Sequence, residues 1–154
     1  MANKTKERSV QMKEKTTDEL LNILQGCSNL SHLEDTLQIL PEQSEYTFTS
    51  YLSKLLIEKN ISKAKVISEA NLARTYGYQI FQGEKNPGRD KIIAITFAMG
   101  LNLEECNRLL TLARTNILYS KNKRDAIIIF GIENKYSLSQ VNEVLYEMGE
   151  DIIE

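Results

Sequence analysis

Apolar residues recur along this chain at intervals of three and four, the spacing of one helix face, and nowhere alternate with polar residues long enough to make a strand. Leu20, Leu21, Ile23 and Leu24 follow Thr16-Thr17-Asp18-Glu19, which has the spacing of a capping box, and Gly26 would stop that helix. Ser31-His32-Leu33-Glu34 repeats the signal ahead of Leu37, Ile39 and Leu40, and Pro41 ends the second helix. Before them, residues 1–15 are polar without apolar periodicity, and residues 41–45 read as a polar linker.

From Thr47 the pattern is denser. Phe48, Tyr51, Leu52, Leu55 and Leu56 predict a helix closing at Asn60, and Ser62 can cap a short one carrying Val66, Ile67 and Ala70. Asn71 suits a left-handed turn position, after which a helix is expected from about Ala73 to Gln82 and is stopped by Gly83. Beyond the Asn86-Pro87-Gly88 loop, Asp90 opens a strongly apolar helix with Ile92, Ile93, Ile95 and Met99, which ends at Gly100. Asn102 caps the next, with Leu103, Cys106, Leu109 and Leu110. Two further helices start near Asn122 and at Ser137, the latter with Gln140 at capping-box spacing. Met99 and Met148 read as core fillers. The fold class is therefore all-α.

Charge adds a division that periodicity does not show. Residues 1–51 carry 5 basic and 8 acidic side chains, residues 52–92 carry 8 and 4, and residues 93–154 carry 6 and 9. The formal net charge of −2 thus hides a basic island between two acidic flanks. A phosphate-facing surface produces such a pattern, and so do ordinary solvated helix faces. The two cysteines, Cys27 and Cys106, have no paired spacing, which points to reduced thiols. Residues 1–15 hold no apolar stretch, so no secretory signal is expected there, and the apolar runs at 92–99 and 126–132 are too short to span a bilayer.

The order of signals in the middle of the chain carries a resemblance. Ile61-Ser62-Lys63-Ala64-Lys65-Val66-Ile67-Ser68-Glu69-Ala70-Asn71-Leu72 leads into Ala73-Arg74-Thr75-Tyr76-Gly77-Tyr78-Gln79-Ile80-Phe81-Gln82-Gly83, then Pro87, the apolar helix, and Met99-Gly100-Leu101. This stretch resembles the lambda-repressor/Cro-type (XRE-like) helix-turn-helix family. The resemblance implies a five-helix DNA-binding bundle over residues 46–113, with short N-terminal helices in 1–45. It implies that the helix starting near Ala73 reads the major groove, with Arg74 and Thr75 at its base-reading end and Tyr78 and Gln79 one turn on. Arginine matches guanine through paired bonds, and glutamine can match adenine. Lys63, Gln82 and Lys85 fall where backbone phosphate contacts are expected. Each of these residues also has the plainer reading of a solvated side chain. Gly77 departs from the family, which places an aliphatic residue there. Glycine is expected to lose that packing and about 1 kcal/mol of helix propensity, with Tyr76 and Tyr78 covering the gap.

Leu109-Leu110-Thr111-Leu112-Ala113, then Leu118-Tyr119-Ser120-Lys121-Asn122-Lys123-Arg124-Asp125-Ala126-Ile127-Ile128-Ile129-Phe130 and Val141-Asn142-Glu143-Val144-Leu145-Tyr146 are similar to a helical extension found in a Firmicutes subgroup of helix-turn-helix regulators, which residues 114–154 would form. Its two amphipathic helices are too small to fold alone and are expected to dock on the bundle. With a single histidine, His32, and neither clustered ligands nor a phosphate loop, no enzyme, metal or cofactor reading can be built. The implied function is a cytoplasmic, nucleoid-associated bacterial transcriptional regulator that binds double-stranded DNA as a homodimer. The alternative is a protein-interaction adaptor that keeps the fold, binds DNA weakly or not at all, and takes a protein partner through the extension.

Overall fold

A computed structural model describes residues 17–39 and 46–154, in which every regular element is a helix. The chain divides between Glu45 and Tyr46 into two units.

In the first unit, α1 (Thr17–Gln25) and α2 (Leu30–Ile39) form a helical pair. The start of α2 differs from the Ser31 signal. Asn29 Oδ1 accepts the His32 amide at 2.8 Å, so the cap lies two residues earlier. Asparagine caps as well as serine does, and a cap at Asn29 leaves Ser31 inside the first turn of the helix. The expected Thr16 cap, the arm before it and the linker at 41–45 lie outside the described residues.

The second unit contains α3 (Phe48–Lys59), α4 (Lys63–Glu69), α5 (Arg74–Gln82), α6 (Arg89–Met99), α7 (Leu103–Leu112), α8 (Lys123–Glu133) and α9 (Leu138–Glu147). Most of its boundaries have a local chemical cause. Thr47 with Ser50, Asn102 with Glu105 and Ser137 with Gln140 form reciprocal capping boxes, while Ser62 and Asn122 cap with one side chain each. Asn60, Gly83 and Gly100 close their helices in the left-handed region.

Helix α6 is the axis of the core. Ile92 to Phe97 are all buried, so it is apolar around its circumference and must be covered on every side. It packs on α4, α7 and α9; α8 in turn packs on α7 and α9, so residues 114–154 extend one continuous core. Met148 is an exception to its expected core role. It is 52% exposed at the end of α9, beyond the last buried turn.

A polar junction joins α6 to α8. The Arg-Asp pair that opens α6 crosses the Arg-Asp pair that opens α8. Arg89 forks onto Asp125 at 3.0 and 2.7 Å, and Arg124 forks onto Asp90 at 3.1 and 3.0 Å. The spare guanidinium donors are also used. Arg89 reaches the carbonyls of Asn116 and Ile117, and Arg124 those of Asp151 and Ile152. Asp125, buried, accepts the Tyr119 amide as well at 2.9 Å. Burial alone would raise its pKa. The Arg89 hydrogen bonds, the Tyr119 amide and the Arg89 and Arg124 charges outweigh this and hold the carboxyl below its ordinary value. Asn142 then clamps buried Ile153, taking its amide at 2.8 Å and giving to its carbonyl at 3.1 Å.

Candidate nucleic-acid interface

The candidate site is built on α4, α5 and the turn between them. Ser62 Oγ accepts the Lys65 amide and sets the start of α4, with Lys63 as its first helical residue. The chain then turns at Asn71, whose φ of 55° is tolerable for asparagine, and the Leu72 amide bonds back to the Ile67 carbonyl at 3.0 Å. Ala70 and Leu72 are buried on either side of Asn71, which fixes the turn to the core.

Helix α5 has two faces of opposite character. Gly77, Ile80 and Phe81 are buried. Arg74, Thr75 and Gln82 are exposed, and Tyr78 and Gln79 half-buried. Spacings of three and four residues gather these five on one side of the helix, beside the arc of the buried three, with Arg74 at the edge nearest Phe81. Lys85 lies in the following loop, exposed, and its backbone is tied to that helix because the Glu84 and Lys85 amides both bond to the Gln79 carbonyl, at 2.9 and 3.3 Å. Lys63 is exposed at the start of a different helix, and no bond joins it to the α5 group.

The helices before and after this loop, α5 and α6, both start without a side-chain cap. Neither Ala73 before α5 nor Gly88 before α6 offers an acceptor to the first turn. Helix N-termini with open amides attract anions. The pairing of cations sharpens the charge count. Within residues 52–92, Lys54, Lys59 and Arg89 are bound to carboxylates, whereas Lys63, Lys65, Arg74, Lys85 and Lys91 have no acidic partner among the described residues.

Gly77 corrects an expectation. No gap opens beside it and neither Tyr76 nor Tyr78 is needed to cover one, because the Ile67 side chain of α4 fills the space directly above the glycine. The aliphatic bulk between the two helices is supplied from the opposite side.

Other parts of the molecule offer less chemistry. A groove of about 340 Å³ between the ends of α6, α8 and the start of α9 is lined by Phe97, Leu101, Ile132 and Tyr136 among others, with no carboxylate, imidazole or thiol in its wall. Burial pushes the Cys106 thiol up, against smaller opposing effects from Thr96 and Arg89, so it stays protonated at neutral pH and is a poor nucleophile. Among the described residues no three His, Cys, Asp or Glu side chains converge as metal ligands, and no helix is long and apolar enough to cross a membrane.

Sequence reasoning missed the crossed Arg-Asp junction. The signal was present as the same dipeptide, Arg89-Asp90 and Arg124-Asp125, at the openings of two helices. Comparison with protein-family models, with curated proteins and with solved structures finds no match to this chain.

Proposed function

We propose that this chain is a sequence-specific DNA-binding transcriptional regulator of the lambda-repressor/Cro type, which lays the outer face of α5 in the major groove. The observation that carries the reading is the composition of that face. A guanidinium, a hydroxyl, a phenol and two carboxamides line one side of a short helix, and the opposite side is anchored in the core. Arg74 and Thr75 at its start are the base readers, with Tyr78 and Gln79 behind them. Gln82, Lys85 and Lys63 hold phosphates, supported by the uncapped amides of α5 and α6. One such helix spans too few base pairs for useful selectivity, so the working form is a homodimer on a two-fold site.

Selection from random duplexes tests this. The expected result is an enriched two-fold motif whose affinity falls steeply with added salt. No enrichment, or salt-independent binding, overturns the reading.

A second reading, an adaptor that docks a protein, is favoured by the extension. Tyr119, Phe130 and Tyr146 are 57%, 50% and 79% exposed there, more than their apolar area would suggest. A partner captured equally by the wild type and Arg74→Ala, with no duplex bound by either, would select this reading.

A further inference from the structure

The structure assigns Gly77 a positioning role. Its missing side chain sets how closely α5 lies on α4, and thereby where the outer face of α5 stands. The functional half of this inference rests on the DNA-binding reading above; the packing half does not.

A Cβ placed on Gly77 would lie 2.6 Å from Ile67 Cγ1, 2.7 Å from Cγ2 and 3.0 Å from Cδ1. Carbon atoms in contact sit about 3.5–4.0 Å apart. An isolated flexible atom could move aside, but here both branches of Ile67 face the glycine. A χ1 rotation that withdraws one branch brings up the other, and a β-branched residue in a helix has essentially one favourable χ1. Ile67 is also buried, with no solvent to swing into. Any side chain at position 77 must therefore push α5 away from α4.

Such a shift moves the whole reading face. Gly77 is held in a regular turn, its amide bonding to the Ala73 carbonyl at 2.8 Å, so α5 moves as one rod. Arg74, Thr75, Tyr78 and Gln79 all lie within three residues of Gly77. Contacts to base edges need placement within about 0.5 Å. Glycine in a helix interior is costly to helix propensity, and this close approach is a physical reason for it here.

The test uses four full-length chains: wild type, Gly77→Ala, Ile67→Ala and the double variant. Thermal melting is measured for each. Affinity for a selected duplex and for a scrambled one is measured at a temperature where all remain folded. Gly77→Ala should lower Tm and cut the preference for the selected duplex about tenfold, the equivalent of one paired base contact. Adding Ile67→Ala removes the obstruction at the cost of a cavity in the core, so the double variant should melt above the value expected from adding the two single shifts and should regain preference relative to Gly77→Ala. Should Gly77→Ala not fold, a folded double variant gives the same support. Strictly additive melting shifts overturn the packing claim, and unchanged preference in folded Gly77→Ala overturns the positioning claim. If the wild type binds no duplex, the DNA-binding reading falls, and backbone dipolar couplings of α5 decide this inference instead. An orientation that shifts in Gly77→Ala and returns in the double variant supports it; an unmoved α5 overturns it.

Discussion

Arg74 and Arg89 each occupy the first position of a helix whose preceding residue offers no side-chain cap, yet their surroundings are opposite. Arg89 is spent. Its guanidinium donors go to Asp125 and to the carbonyls of Asn116 and Ile117, and it fastens α6 to the start of α8. Arg74 is exposed, with no carboxylate or carbonyl partner among the described residues. A half-buried guanidinium needs a fixed anion, because desolvating it otherwise costs several kcal/mol. An exposed one does not, and it stays available to an anion from outside. The basic island thus contains two populations, and only the unpaired one counts toward an interface.

The largest predicted effect breaks the spent side. Asp125→Ala leaves Arg89 without its carboxylate in a largely enclosed setting, and should lower the unfolding free energy by about 3 kcal/mol in urea denaturation. Removing both partners should cost less than the sum of the two single changes, since neither charge is then stranded.

Arg74→Ala is the counterpart. Stability should stay within about 0.5 kcal/mol of wild type, while duplex binding loses about 1–3 kcal/mol. Equal stability losses at Arg74 and Asp125 would erase the distinction between them.

Acid sharpens the comparison further. The folded pKa of Asp125 is held below its unfolded value, which is the ordinary aspartate value of 3.8. Its contribution is therefore present above that unfolded value and is lost as pH falls through it toward the folded value. Asp125→Asn should flatten the stability curve in that acid range, whereas Arg74→Ala should leave its shape unchanged.

The smallest effect belongs to Lys85→Ala. It should weaken all duplexes alike and reduce the slope of log affinity against log salt by about 1, with melting temperature unaltered.

The helices and their ends were legible in the sequence because each depends on a few adjacent residues. Asn60, Ser62, Asn71, Gly83, Asn102 and Ser137 each act within one turn of the chain, and each stands where its chemistry is needed. The all-helical class follows from the same local pattern. What was not legible depends on pairs far apart in the chain. Arg89 meets Asp125 across 36 positions, and nothing in the local pattern of either helix specifies the other. Gly77 was misread for the same reason. Judged alone it is a loss of bulk, and only the approach of Ile67 shows that the bulk is supplied from α4. The outer face of α5 was partly legible, since helical spacing groups Arg74, Thr75, Tyr78, Gln79 and Gln82, but which cations remain unpaired required the three-dimensional contacts.

The central claim is that Arg74 on α5 reads a base. Its most direct test compares wild type and Arg74→Ala on the selected duplex and on duplexes changed one base pair at a time, at matched folded fractions. The account predicts that the variant loses discrimination at one base pair in each half-site and keeps it elsewhere. A variant that discriminates at every position as the wild type does, or a wild type that discriminates at none, would contradict it.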